Sequence, residues 1–169
     1  MTHHTVMPVE GPASLAWSAQ AKADVAEAVS RYPVQRSAVL PVLWIAQREW
    51  GWLSPAALRL VAESVGLPES EVFGIATFYT MFNMKPIGRH HIQVCRTLPC
   101  ALAGSERITA AIKEKLKIGV GETTPDGRFT LTEVECLASC GTAPMMQVND
   151  DYYENLTEKN VGEILDRLK

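Results

Sequence analysis

Cysteine is absent before Cys95 and amounts to four residues in a chain of 169. A disulfide-built scaffold carries about 8–10% cysteine, so this chain is not one. In a reducing compartment, thiols that are not simply core residues bind metal or do redox chemistry. Long apolar runs are also missing. The longest, Ala38 to Ala46, is interrupted by Pro41 and falls far short of the ~20 residues of a membrane span, so no direct membrane insertion is expected. Neither sign of charge dominates. Sixteen Lys and Arg stand against 19 Asp and Glu, with a net charge of −3 and no basic block, which argues against a nucleic-acid partner. Met1 to Pro12 shows no basic region and no apolar core of a secretion signal, and no transit peptide is apparent, so a cytoplasmic, bacterial location is expected. Gly119-Val120-Gly121 does not open a helix and is a poor phosphate cradle. No internal repeat and no Ser/His/Asp or Cys/His arrangement stands out, and no independent catalysis is expected. What remains, 47% hydrophobic, is enough for one domain or two small ones.

The first half reads as helices. Ala19 to Arg31 carries Val25 and Val29 on one side and stops at Tyr32-Pro33, because the residue before proline avoids the helical region. Ser37 to Glu49 places Val39, Leu43 and Ala46 on one face, with Pro41 tolerable only near the first turn. Ser54-Pro55 is a helix start, hydroxyl cap then proline. Leu58, Val61 and Val65 follow, with Gly66 as the stop. Pro68 opens a short helix to about Ala76. These make a helical domain over 16–86, after a flexible 1–15. From residue 87 the pattern changes. His91 to Cys95 reads as a strand, Ser105 to Lys117 as an amphipathic helix, and Thr124 to Gly127 as a tight turn. Phe129 to Glu135, Met145 to Val148 and Tyr152 to Leu156 read as strands. Thr157 caps a last helix whose end charges suit its dipole. The order strand, helix, three strands, helix predicts a thioredoxin-like domain over 87–169, without a Cys-x-x-Cys. The fold class is α+β.

The cysteines fall in two close pairs, Cys95/Cys100 and Cys136/Cys140, with 35 residues between the pairs. Cys95 ends one predicted strand and Cys136 the next. Cys100 and Cys140 are expected in the adjoining loops. If the two strands are neighbours, all four thiols reach one rim. Three readings stay open. The favoured one is a [2Fe–2S] cluster with one pair for each iron, since such clusters take four thiolates and are tuned by N–H donors, charge and burial. Ala101, Ala103, Gly104, Ala138 and Gly141 would let amides come close, and Glu133 and Glu135, if near, would lower its potential. The second is structural zinc, for which the gaps of four and three residues lie at the long end. The third makes some of the cysteines small buried hydrophobes.

Other groups have plainer readings. Trp44 and Phe78 are expected in the helical core. Tyr79, Met81 and Phe82 are expected at an interface, where aromatics and methionine concentrate. His90-His91 reads as a solvated pair rather than as ligands, because neighbours on a strand face opposite ways. Asp150-Asp151 reads as a turn.

Cys95-Arg96-Thr97-Leu98-Pro99-Cys100 resembles the first cluster motif of the thioredoxin-like [2Fe–2S] ferredoxin family, in particular the E subunit of respiratory complex I. The resemblance continues in order through Gly121 to Gly127, Phe129-Thr130-Leu131, Glu133 to Leu137, Cys140, Ala143-Pro144-Met145 and Asn149 to Thr157. In the helical half it includes Gly51-Trp52-Leu53 and Ala76 to Phe82, and it covers about residues 20 to 169. It implies that Cys95 and Cys100 hold one iron and Cys136 and Cys140 the other. It also implies a partner flavoprotein that carries FMN, NADH and its own cluster, with neither FMN nor NADH bound here. The large iron–sulfur subunit is a further partner. In that family the cluster exchanges electrons with the flavin, off the main path to quinone, on the inner face of the membrane (the matrix side in a mitochondrion). Ala138-Ser139 and Gly141-Thr142 depart from the commoner Gly-Ala and Val-Asn-like pairs. Related subunits serve NAD-dependent formate dehydrogenases and NAD-reducing hydrogenases, but Leu98-Pro99-Cys100 and Asp150 to Tyr153 look more like complex I. From another class, a zinc-stabilised interaction module is the rival, followed by a disulfide-exchange protein.

Overall fold

The structure, a computed structural model, describes residues 11–168. Ten of the fifteen residues expected to be flexible at the N-terminus therefore lie outside the described residues. The chain divides into two compact units between Pro86 and Ile87. Among the described residues no helix is long and apolar enough to cross a membrane.

Among its described residues the first unit holds four α-helices: α1 (Ala19–Ser30), α2 (Val39–Trp50), α3 (Pro55–Val65) and α4 (Glu69–Phe78). Their ends follow local chemistry. The Ala21 amide donates to Ser18 Oγ at 3.2 Å, and the Ala57 amide to Ser54 Oγ at 3.2 Å, satisfying helix-start donors that lack backbone acceptors. Gly51 and Gly66 end α2 and α3 at φ +78° and +64°, where a side chain is strained. Ser37 and Ala38, expected in α2, wind instead as part of a 3-10 turn over Gln35–Ala38, so Pro41 sits within the first turn of α2. Val42, Leu43, Val61, Val65 and Val72 form the centre of the core.

Two expectations about the aromatics are reversed. Phe78 is 78% exposed at the end of α4, whereas Phe82 is 5% exposed and belongs to the core. Trp44 is half-buried and packs on Phe82 at 5.6 Å between ring centroids. The chain leaves α4 extended at Tyr79, which turns Phe78 outward and lets Phe82 return. Buried Gln47 holds that return. Its Nε2 donates to Met81 O at 3.0 Å, and its Oε1 accepts from the Asn83 amide at 2.6 Å. Gln47→Leu would strand both backbone groups, so a loss of about 1–3 kcal/mol is expected in urea unfolding.

The second unit is a four-stranded sheet in the order β2-β1-β3-β4, with β1 (His90–Cys95), β2 (Phe129–Val134), β3 (Met146–Val148) and β4 (Asp151–Tyr153). β1 and β2 are parallel, while β3 runs antiparallel to β1 and to β4. Three helices accompany it: α5 (Leu98–Leu102), α6 (Ser105–Leu116) and α7 (Glu158–Arg167). Ile92, Val94, Leu131 and Met146 share a core with Ile112 of α6 and Leu165 of α7. β4 is shorter and earlier than the expected Tyr152 to Leu156, because Asn155 takes φ +49° and breaks the strand. The outer edge of β2 is covered by 121–124, with Gly121 N to Leu131 O at 2.6 Å and Leu131 N to Glu122 O at 3.1 Å.

His90 and His91 are not a solvated pair. Both are half-buried. His90 lies 5.3 Å from the Phe129 ring, and His91 Nε2 is 2.9 Å from Thr132 Oγ1. Thr132 Oγ1 also lies 3.3 Å from Ile92 O. Burial lowers the His91 pKa from 6.5 to about 4. The unfolded chain therefore binds the extra proton between those values, and this contribution to stability, full above pH 6.5, is lost as pH falls toward 4. Between pH 7 and 5 the protein is expected to lose at most about 2 kcal/mol more than His91→Gln does, measured by denaturant unfolding at both pH values.

Candidate functional site

Because β1 and β2 are parallel neighbours, their carboxyl ends emerge together, with Cys95 opposite Val134. β3 runs the other way, so the segment entering it arrives at the same end, and the Cys95 amide donates to Met145 O at 3.2 Å. All four cysteines lie on chain that leaves or enters this rim, and none is in a disulfide. Cys95 closes β1. Cys100 sits inside α5 rather than in a loop; Pro99 is compatible with a helix because it falls in the first turn. Cys136 follows β2, and Cys140 begins a 3-10 turn, Cys140–Thr142.

The two pairs differ in burial. Cys95 and Cys100 are 3% and 2% exposed and pack on Met145, whereas Cys136 and Cys140 are exposed. Hydrogen-bond donors surround the sulfurs. Burial pushes the Cys95 thiol up, but bonds from the Thr97 hydroxyl and from the Leu137 and Thr97 amides outweigh it and bring the thiol below its ordinary value. For Cys100 burial wins, and with Cys95 beside it the thiol rises to about 11. The Ala138 amide donates to Cys136 Sγ at 3.4 Å. Ala138 itself is at φ +60°, a conformation that costs a non-glycine residue roughly 1–2 kcal/mol and turns the chain back toward that sulfur. A side chain at Gly141 would meet no atom within 4 Å, so no clash requires the glycine there.

Both flanks of the rim are tied. Arg96, after Cys95, donates from Nε (3.1 Å) and from its terminal nitrogen (2.6 Å) to Glu135 Oε1, before Cys136. The Glu135 charge, expected to act on a cluster, thus stands beside a cation. Ser139 and Thr142, which bracket Cys140, both bond to Glu154 Oε1, Thr142 at 2.6 Å. The Ser139 hydroxyl, then that of Thr142, holds the Glu154 carboxyl below its ordinary pKa. Nothing in the sequence pattern singles out Glu154, whose partners lie 12 and 15 residues away.

Four free thiols with N–H donors aimed at three of their neighbourhoods suit an iron–sulfur group. Among the described residues no three His, Cys, Asp or Glu side chains close on a point that would hold one metal ion. Residues 25–169 match the family of thioredoxin-like [2Fe-2S] ferredoxins. The chain belongs to that family. This ferredoxin-family chain is 48% identical over 146 residues to the E subunit of the NADH-quinone oxidoreductase of Rickettsia conorii, covering 85% of this chain and 87% of the relative. It is 45% identical over 146 residues to the E 2 subunit of the NADH-quinone oxidoreductase of Rhizobium meliloti, covering 86% and 87%. In fold it is similar to an NAD+-reducing [NiFe]-hydrogenase in the air-oxidized state, at TM-score 0.66 and 21% identity. That likeness covers 75% of this chain and 22% of the hydrogenase chain.

Proposed function

We propose that this chain is the electron-transfer subunit of an NADH:quinone oxidoreductase, with one [2Fe–2S] cluster held by Cys95, Cys100, Cys136 and Cys140. Cys95 and Cys100 would take one iron and Cys136 and Cys140 the other. The observation that carries the proposal is the convergence of four free thiols on one sheet end in a chain so similar to the E subunits of that enzyme.

When bound, such a cluster supplies a one-electron redox couple. The chain's own residues hold it and set its surroundings. Cys95 and Cys100 provide a dry side, Cys136 and Cys140 face solvent or a partner, and the amides at 137 and 138 stabilise thiolate charge. Arg96 offsets the negative charge of Glu135 beside the rim. The partner is an NADH-oxidising flavoprotein that carries FMN and NADH, with the large iron–sulfur subunit beyond it, and this chain exchanges electrons with the flavin without catalysing a reaction alone. Residues 16–86 form the helical domain and 87–169 the cluster domain of a peripheral subunit on the cytoplasmic face of the membrane.

The test is anaerobic purification with whatever co-purifies, followed by iron analysis and EPR before and after dithionite. About two irons per chain and a rhombic signal on reduction support the proposal. Zinc without iron, and no signal after reconstitution, would leave only a zinc-stabilised module. The fold likeness to the hydrogenase chain keeps a second assembly in play, an NAD-reducing hydrogenase or a formate dehydrogenase, which the co-purifying subunits identify.

A further inference from the structure

We propose that Glu154 is a positioning residue that fixes the turn carrying Cys140. The turn is short, Cys140–Thr142. Its middle residue is Gly141, around which a side chain would find open space. A glycine in open space, next to a thiol that must point one way, leaves the backbone free to turn. The backbone bonds that steady this segment lie on its far side: Asn155 N to Thr142 O at 2.8 Å and Leu156 N to Pro144 O at 2.9 Å. On the near side the Thr142 amide donates to Ser139 O at 3.2 Å, which closes the turn on itself without anchoring it elsewhere.

Glu154 supplies that anchor. One oxygen, Oε1, accepts the hydroxyls of Ser139 and Thr142. The two hydroxyl oxygens are themselves in hydrogen-bond contact at 2.8 Å, and Thr142 Oγ1 also lies 3.2 Å from Ser139 O, so the carboxylate shares their protons with the turn's own acceptors; being charged, it is the strongest acceptor of the set. Glu154 directly follows β4, whose pairing with β3 is fixed. The clasp therefore transmits the position of the sheet to both sides of Cys140. A ligand side chain works only if it is held within about 0.5 Å of its place. Glu154 touches neither thiol nor iron and acts through the turn.

The proposal rests on Cys140 being a ligand, and the test separates the two. In the loaded full-length protein, Glu154→Ala is expected to speed iron loss to a ferrous chelator about fivefold or more, as loss of two charge-assisted bonds allows. Glu154→Gln keeps an oxygen acceptor and is expected to stay within about twofold of the parent. In the metal-free chain, Glu154→Ala is expected to raise the iodoacetamide rate of Cys140, read by mass spectrometry, relative to that of Cys136. Ser139→Ala with Thr142→Val removes the same clasp from its other side and serves if Glu154→Ala fails to fold. An unchanged Cys140 rate, or equal acceleration at both thiols, overturns the proposal. A Cys140→Ser protein that keeps two irons and an unaltered spectrum instead removes the ligand assignment, while the alkylation ratio still reports on the clasp.

Discussion

Cys136→Ser is expected to yield a folded protein that has lost its two-iron centre. Cys136 is exposed beyond the end of β2, and the core around Ile92, Leu131 and Met146 does not include it. Exchange of sulfur for oxygen there removes no packing. It does remove a ligand, because the thiolate is the group that binds iron and a serine hydroxyl is a far weaker acid than a thiol. Iron is expected to fall from about two per chain toward none, or to remain with a shifted rhombic signal, while far-UV circular dichroism and the unfolding midpoint in urea stay close to the parent's. Cys100→Ser differs in a telling way. That residue is 2% exposed against Met145 and Cys95, so a hydroxyl in its place is buried with poor partners and costs about 1–3 kcal/mol as well as the cluster. Retention of two irons and an unchanged spectrum by Cys136→Ser would show that the ligand set is wrong.

The contrast between these two cysteines is not readable in the sequence. Pairing and spacing give the rim once β1 and β2 are taken as parallel neighbours, and both strands lie where alternation puts them. Which pair is buried depends on α5, a helix of five residues that is too short for a periodic pattern to announce it. The helix ends at Ser18, Ser54 and Gly66 are decided within four residues of chain, and the starts and stops at Ser54 and Gly66 were legible for that reason. Phe78 and Phe82 were not. Phe78 was expected in the core, but α4 ends at that residue and the chain departs extended, held beyond it by Gln47. Such a clamp joins residues 34 and 36 apart, beyond any local pattern. The same holds for Glu154 and the Cys140 turn, where the signal was two unusual hydroxyls whose common acceptor lies in another strand's wake.

Removal of the iron is expected to loosen the rim without unfolding the protein. A small zinc finger unfolds without its metal because the metal stands in for a core. Here the second unit has a core of its own, in which Ile92, Val94, Ile112, Leu131 and Leu165 are each at most 2% exposed. The cysteines Cys95 and Cys100 occupy a separate small cluster with Met145, and the helical unit contains no cysteine. What the apo-protein loses is therefore local. Residues 136–141 are mostly exposed, and Ala138 is held at φ +60°, so this segment has few apolar contacts to keep it in place once its thiols are unbound. Regions of that kind open at low free-energy cost, whereas buried strands exchange only in larger openings. Amide hydrogen exchange is expected to accelerate at least about tenfold at 136–141 on anaerobic chelation, with β1, β2, α6 and the four helices of the first unit unchanged. Exchange that accelerated equally across β1 and β2 would mean that the cluster, and not the apolar core between sheet and helices, holds the second unit together.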